Sequence, residues 1–385
     1  MTRGKQITVE NGETIAVPKL HRFIDVIVPV KTCNLRCHYC YITHNRLFES
    51  SLPECMPSPE TIASSLSQRR FGGVCLINFC GGGETLLPPQ MPDIIRAVLG
   101  GGHFVMVVTN GTVTSSLKRI AEFPKEYLDR LLFKFSFHFL ELKKRGLLDR
   151  FCENVRRMRN AGASISVEIT PSDELVPYID EVKDVCLREF GALCHVTVAR
   201  DEKNKSKIPI LTSLPKADYR RIWRSFDSPL FDFKMSVFGE KRRDFCYAGK
   251  WTYFLQMETG LLFQCYGGCS LQNIYDNTRS TVRELPIGHL CPLPHCYNAH
   301  VFLSLGTIAG REDPAYAVLR NRICSDGTEW LRPRMKSFLS QKIDQNNARF
   351  SAAREVFADL ICSIVAINRV LLRFLRKIVN ICMAR

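Results

Sequence analysis

The chain lacks any uninterrupted apolar run that approaches the length of a membrane-spanning helix, and it has no long low-complexity tract and no internal repeat. A spanning helix needs about 20 consecutive apolar residues. The first residues, MTRGKQITVENGET, contain no apolar stretch like that of a secretory signal peptide. We therefore expect a protein that neither spans a membrane nor is secreted, and that is located in the cytoplasm.

Basic residues are not gathered into runs interleaved with aromatic side chains, although the formal net charge is +15. Such runs are typical of nucleic-acid-binding surfaces, so specific nucleic-acid binding is not expected. The charge fits an anionic substrate or an anionic membrane surface, or simply a solvated basic surface.

Cysteine, in contrast, is abundant, with 17 residues in a chain of 385. A long chain without a secretory signal seldom uses so many cysteines for disulfides. They are better explained as metal ligands together with small buried side chains. This interpretation also favours a reducing cytoplasm.

Short apolar runs alternate with amphipathic stretches between residues 23 and 225. Several runs are almost continuously apolar, which is typical of parallel strands covered on both faces. The predicted strands are Phe23–Val30, Val74–Phe79, Phe104–Thr109, Leu131–Phe137, Ser164–Ile169 and His195–Ala199.

Helices are predicted between these strands. One begins at Ser58-Pro59-Glu60, one covers Leu147–Asn160 and ends before Gly162, and one covers Glu174–Glu189. Six strand-then-helix units predict an α/β barrel or an open parallel sheet. Ligands gather at the carboxyl ends of the strands in such folds.

The segment KTCNLRCHYCY follows the first predicted strand and contains Cys33, Cys37 and Cys40 in a C-x3-C-x2-C spacing. Three thiolates on one loop can hold three corners of an iron–sulfur cluster and leave a fourth position open. Zinc is the weaker interpretation because a structural zinc site has four ligands, and the next cysteine is Cys55. Purely structural cysteines are disfavoured by the close spacing on a polar loop.

This spacing resembles the cluster-binding motif of radical S-adenosylmethionine (SAM) enzymes, and the resemblance covers roughly residues 20 to 300. It implies a partial (β/α)6 TIM-like barrel in which the three cysteines hold a [4Fe–4S] cluster and SAM occupies the fourth iron. It also implies that an electron, supplied by a reductant such as flavodoxin or ferredoxin, cleaves SAM to a 5′-deoxyadenosyl radical that abstracts hydrogen from a substrate. Tyr39 would lie along the adenine.

A glycine-rich turn, Gly81-Gly82-Gly83-Glu84-Thr85, follows the second predicted strand. Glycines let a backbone approach a ligand closely. The turn resembles the Gly-Gly-Glu motif of the same family, which implies contact with the amino group of SAM, with Thr85 in place of the usual Pro. A phosphate-binding loop is disfavoured because no Gly-Lys-Ser/Thr follows.

Polar residues also end the later predicted strands. Asn110 lies in a Thr-Asn-Gly turn that is either a plain tight turn or part of the SAM site. The resemblance assigns Ser136 and His138 to the ribose or carboxylate of SAM, although His138 could equally be a core histidine. Arg200 could pair with the SAM carboxylate or lie on the surface.

A second cysteine set begins with Cys246-x13-Gly260-x4-Cys265 and resembles the opening of the SPASM and twitch extensions of radical SAM enzymes. The resemblance implies one auxiliary [4Fe–4S] cluster in a small twitch-like domain, since a full SPASM domain needs more ligands than this segment offers. The expected ligands are Cys246, Cys265, Cys291 and Cys296, with Cys269 as a substitute. A zinc site with the same four ligands is the alternative.

We expect three regions: a radical SAM core at 1–235, a twitch-like domain at 236–300 and a helical region at 301–385. Near the end of the chain, one face of a predicted helix carries Arg369, Arg373, Arg376 and Asn380. That helix is expected to pack on its own domain, with docking to a partner or a membrane surface as the alternative.

The favoured function is hydrogen abstraction from a peptide or protein side chain, because peptide modification is the largest use of the extension. A carbohydrate or its precursor, as the substrate of a small-molecule oxidoreductase or epimerase, is the alternative. A non-catalytic iron–sulfur or zinc protein would explain the cysteines but not the glycine-rich turn.

Overall fold

The computed structural model describes residues 6–10, 13–204 and 206–365. Its strands, numbered in chain order, are β1 (Gln6–Glu10), β2 (Glu13–Val17), β3 (Arg22–Val28), β4 (Cys75–Gly81), β5 (Phe104–Thr109), β6 (Leu131–Ser136), β7 (Ser164–Ile169), β8 (His195–Val196), β9 (Thr252–Gln256), β10 (Leu261–Phe263) and β11 (Ser270–Asn273).

The helices of the first half are α1 (Tyr41–Asn45), α2 (Pro59–Ser65), α3 (Gln68–Phe71), α4 (Met91–Gly100), α5 (Thr114–Ala121), α6 (Lys125–Leu128), α7 (Phe139–Lys144), α8 (Leu148–Ala161) and, after a 3-10 helix at Asp173–Tyr178, α9 (Ile179–Phe190). Those of the second half are α10 (Lys216–Arg224), α11 (Pro229–Val237), α12 (Ala299–Phe302), α13 (Tyr316–Arg320), α14 (Pro333–Leu339), α15 (Ile343–Asn346) and α16 (352–365).

The main sheet has the order β11-β10-β9-β3-β4-β5-β6-β7-β8. Strands β3 to β8 pair in parallel in chain order, with helices between them. This confirms the predicted α/β fold with a partial (β/α)6 barrel. Strands β1 and β2 form a separate antiparallel pair.

The two faces of the sheet belong to different cores. On one face, Ile77 and Phe79 pack with Ile94 of α4. On the other, Leu76 and Met106 join a cluster that includes Phe338 of α14. The helices after residue 300 therefore cover a sheet face, and burial on both faces explains why the strands are nearly continuously apolar.

The cysteine-rich segment does not stand apart from this sheet. Its first strand, β9, pairs in parallel with β3, and β10 and β11 continue the sheet as antiparallel strands. The pairing places β9, which lies between Cys246 and Cys265 in the chain, beside the strand that leads into Cys33–Cys40.

Two predicted helices differ in how well the sequence defines them. Helix α8 ends at Gly162, whose φ of 106° is left-handed, as the glycine predicts. The helix predicted over Glu174–Glu189 is divided, because Pro177 lies in a 3-10 helix and α9 begins only at Ile179.

Helix α16 packs one face on the cysteine-rich segment. The Asp359 carboxylate accepts a hydrogen bond from the backbone N–H of His289 at 3.0 Å and contacts its ring at 2.8 Å. Val356 and Leu360 of the same helix are exposed. The predicted basic stripe, at Arg369, Arg373, Arg376 and Asn380, lies outside the described residues. None of the helices that the structure describes is both long and apolar enough to cross a bilayer.

Candidate functional site

The three cysteines of the first set lie on one loop between β3 and α1, which starts directly after Cys40. Cys37 is buried and the other two are half-buried. Burial raises the pKa of the Cys33 thiol to about 11; burial, and then the neighbouring Cys40 and Cys33 thiols, raise the pKa of Cys37. One buried and two half-buried sulfur donors on one loop fit a site that holds iron.

The Cys33 sulfur is held from the neighbouring strand end. It accepts a hydrogen bond from the Asn110 side-chain amide at 3.7 Å and from the Leu35 backbone N–H at 3.4 Å. Asn110 also donates to Asn34 at 2.8 Å. The turn after β5 is therefore part of the first site.

The glycine-rich turn lies directly against the chain that enters the cysteine loop. Gly83 N–H donates to the Val30 carbonyl at 2.6 Å, and Glu84 N–H donates to the Thr32 carbonyl at 3.0 Å. A Cβ added at Gly83 would lie 2.0 Å from the Thr32 carbonyl oxygen, so the backbone would have to shift. Glycine is required here because two backbone segments touch.

Gly83→Ala is expected to lower the thermal midpoint and the iron content after reconstitution, because the Cβ must push the Thr32 backbone away. Overpacking of this kind costs about 1–3 kcal/mol. Gly82→Ala is the matched control, since its Cβ would meet the nearest atom at 3.3 Å. Equal iron content in the two variants would contradict this close packing.

Glu84 is buried, and its carboxylate accepts three hydrogen bonds within the protein. The donors are the Thr109 hydroxyl at 2.6 Å and the backbone N–H groups of Asn110 at 2.7 Å and Leu86 at 3.0 Å. Burial raises the pKa of Glu84 despite these bonds. The side chain thus joins the turn after β4 to the turn after β5.

Glu84→Ala is expected to remove this connection and leave buried N–H donors without an acceptor. Each such donor costs about 1–3 kcal/mol. A lowered thermal midpoint together with weaker SAM binding, measured by calorimetry, is the expected result. Unchanged SAM affinity would contradict the placement of these turns at the SAM site.

Tyr39 and His138 are coupled. The Tyr39 hydroxyl and the His138 Nδ1 share a hydrogen bond of 2.7 Å, and the rings lie 5.9 Å apart. Burial lowers the pKa of His138 to about 4, so the imidazole is neutral near pH 7. His138 therefore holds the Tyr39 ring in place between Cys37 and Cys40 of the loop.

One cavity of about 300 Å³ collects every residue predicted for the first site. Its lining includes Cys33, Cys37, Tyr39, Cys40, Gly81, Gly82, Gly83, Glu84, Asn110, Ser136, His138 and Arg200. The Arg200 guanidinium lies 2.8 Å from Glu202 and donates to the Tyr297 carbonyl at 3.0 Å, so it bridges to the second cysteine segment.

The four thiols predicted for the second site also come together. Burial raises the pKa of Cys246, and the neighbouring Cys265, Cys296 and Cys291 thiols raise it further. Cys269 lies near Cys265. Such a set of sulfur donors fits a cluster of the same type. Across the described ranges, no three His, Cys, Asp or Glu side chains are placed to hold a single metal ion.

A second cavity, of about 230 Å³, adjoins the first one. Thr197, Val198 and Arg200 line both cavities, and Cys296 lines the second one. Lys134 of β6, Glu168 of β7 and Thr197 after β8 thus line a cavity that shares part of its wall with the first one.

Sequence reasoning missed the charged residues of this second cavity, chiefly Lys134, Lys234 and His300. Lys134 is a lysine within the otherwise apolar run LLFKFS, and that interruption could have marked it. Lys234 and His300 come from distant segments, and no local pattern connects them with β6.

Residues 27–172 match the family model described as the Radical SAM superfamily. No curated protein matches the chain.

Among solved structures, similarity is found to Streptococcus suis SuiB bound to S-adenosylmethionine, with 16% identity and a TM-score of 0.48, covering 67% of this chain and 64% of SuiB. It is also found to anSMEcpe with bound AdoMet and Cp18Cys peptide, with 15% identity and a TM-score of 0.45, covering 67% and 79%. Similarity is also found to BtrN in complex with AdoMet and 2-DOIA, with 16% identity and a TM-score of 0.35, covering 68% of this chain and 80% of BtrN.

The chain therefore spans about 64% of the length of SuiB. Because the identities and TM-scores are this low, the substrates of these proteins are not assigned to the present one. The similarity to the family lies in residues 27–172, which contain Cys33, Cys37, Cys40 and the glycine-rich turn. Through these residues, the segment 27–172 of this chain matches the Radical SAM superfamily.

Proposed function

We propose that the protein cleaves SAM reductively at a [4Fe–4S] cluster and uses the resulting radical to abstract hydrogen from a substrate. The observation that carries this proposal is that Cys33, Cys37 and Cys40 share one cavity with the glycine-rich turn and Tyr39. An electron-transfer protein would need the thiols but no built cavity beside them.

The first-site residues have separable tasks. With Cys33, Cys37 and Cys40 as ligands, the cluster and SAM would supply one-electron chemistry and a carbon radical. Asn110 donates to the Cys33 sulfur and fixes its position. Because both Glu84 oxygens already accept protein hydrogen bonds, we assign recognition of the SAM amino group to the backbone carbonyls of Gly81–Gly83, with Glu84 as their support.

The second cysteine set is proposed to hold an auxiliary [4Fe–4S] cluster on Cys246, Cys265, Cys291 and Cys296, within a twitch-like domain at 236–300. The convergence of these thiols supports it. Two roles fit the position of Cys296 at the second cavity: taking an electron from a substrate radical, or positioning the substrate.

For the substrate we propose a peptide or protein side chain, on the resemblance of the second set to the SPASM and twitch extensions. The reductant is proposed to be a flavodoxin or ferredoxin. The cytoplasm is the proposed location, since metal-ligating cysteines in this number fit a reducing compartment.

The test is anaerobic reconstitution with iron and sulfide, followed by addition of a reductant and SAM. The expected product is 5′-deoxyadenosine, measured by chromatography and mass spectrometry. A protein that takes up iron but forms no 5′-deoxyadenosine would support the non-catalytic iron–sulfur alternative instead.

A further inference from the structure

The second cavity contains two lysines that have no carboxylate partner. Lys134 projects from β6 and Lys234 from α11, and both line the cavity. Neither forms an ion pair within 4.0 Å with any residue that the structure describes. Within the described ranges, the Lys234 side chain donates only to the Thr197 hydroxyl, and the Lys134 side chain makes no hydrogen bond.

The other charged groups around the two lysines already form ion pairs with other residues. Glu168 is the only carboxylate among the described residues that line the cavity, and it pairs with the fully buried Arg320. Arg200 pairs with Glu202. The cavity therefore has a surplus of positive charge.

Asp25 is the other acidic group near Lys134, and its carboxylate is already hydrogen-bonded within the protein. Its carboxylate accepts hydrogen bonds from four side chains of the barrel and the cysteine-rich segment, namely Asn78, Cys80, Tyr266 and Asn298. A carboxylate with four donors has little capacity left to neutralise a lysine.

Burial without a partner disfavours the charged form of both lysines. Burial, and then Arg320, lower the pKa of Lys134 to about 8. Burial, with Arg320 and Lys134, lowers the pKa of Lys234 to about 7 although Glu168 opposes this. An anion in the cavity would relieve both penalties at once.

Two histidines add unpartnered polar atoms on the same cavity. His295 and His300 are 3% and 6% exposed. Both ring nitrogens of His295, and Nδ1 of His300, have no hydrogen-bond partner among the described residues. Buried polar groups are normally paired, so these atoms indicate a ligand that completes them.

We propose that the second cavity binds an oxyanion of the substrate, either a carboxylate or a phosphate, between Lys134, Lys234 and His300. This inference rests on the proposed function, and it gives the substrate a chemical class. The volume of about 230 Å³ is enough for one side chain or head group and not for a folded segment. The shared wall at Thr197 and Val198 would place the rest of the substrate toward the first site.

The experiment is calorimetric titration of the reconstituted full-length protein with inorganic phosphate in one arm and succinate in the other. The wild type is expected to bind at least one of them, and Lys234→Met and Lys134→Met each to weaken that binding by about tenfold or more, as expected for lost charged hydrogen bonds. The arm that binds identifies the head group.

Lys118→Met is the matched control, because Lys118 is exposed on α5 and distant from the cavity lining. Unchanged affinity in both cavity variants, or no binding of either anion by the wild type, would overturn the proposal. Circular dichroism melting of each variant verifies folding. Anion binding without SAM cleavage would leave this site standing and remove the proposed function, whereas SAM cleavage without anion binding would do the reverse.

Discussion

Cys37→Ala is expected to abolish formation of 5′-deoxyadenosine. Cys37 is the buried member of the three-thiol loop, and burial together with its two neighbouring thiols raises its pKa. Alanine offers no ligand there, and two thiolates cannot replace three around a cluster. The measurement is product per chain after anaerobic reconstitution.

Two further variants make this result specific. Cys55→Ala, at an exposed thiol outside the first cavity, is expected to keep full activity. Cys265→Ala is expected to keep SAM cleavage but lose substrate turnover, and to bind about four irons where the wild type binds about eight. Equal loss of SAM cleavage in Cys37→Ala and Cys265→Ala would mean that the second cysteine set is structural.

Arg320→Met is expected to lower the free energy of unfolding by about 3–5 kcal/mol, the usual cost of breaking a buried ion pair from one side. Arg320 is fully buried and pairs with Glu168. Burial alone would raise the pKa of Glu168, but Arg320, Lys134 and Lys234 hold it well below its ordinary value. Removing Arg320 therefore takes away the direct ion-pair partner of a buried carboxylate and leaves only the more distant Lys134, Lys234 and His300 to compensate its charge.

The stability difference between the wild type and Arg320→Met is expected to depend on pH. A carboxyl whose pKa is lowered by folding stabilises the protein above its unfolded pKa of about 4.3, and that contribution is lost as the pH falls. In Arg320→Met the pKa of Glu168 rises, so protonation relieves the defect at low pH. The gap in thermal midpoint between wild type and variant is expected to be larger at pH 8 than at pH 5.

A double variant, Glu168→Gln with Arg320→Met, is the control for this pair. It removes both charges, and replacing a buried pair as a whole is often nearly neutral. Recovery of most of the lost stability is expected. A double variant as unstable as Arg320→Met would show that packing of the Arg320 side chain, and not its charge, is what stabilises the fold.

The barrel strands could be predicted because burial on both faces makes each strand an apolar run in the sequence. Phe104–Thr109 and Ser164–Ile169 match the predicted bounds, since buried parallel strands are continuously apolar. Prediction of the first site followed from the same logic, because Cys33, Gly83 and Asn110 each come after a strand and such strand ends meet at one edge of the sheet.

What the sequence could not predict depends on contacts between distant segments. The pairing of β9 with β3 joins residues more than 200 positions apart, and no local pattern specifies it. The pairing of Glu168 with Arg320 and the approach of Lys234 to Lys134 are likewise long-range. The helix after residue 173 was misplaced because Pro177 favours a 3-10 turn that a 3.6-residue periodicity does not distinguish.

The most direct test of the first site is the electron paramagnetic resonance spectrum of the reduced protein, recorded with and without SAM. If Cys33, Cys37 and Cys40 leave one iron open for SAM, adding SAM will change a cluster signal in the wild type, and this signal will be missing from Cys37→Ala. A spectrum of the iron-loaded, reduced wild type that SAM leaves unchanged would contradict the assignment of SAM to this loop.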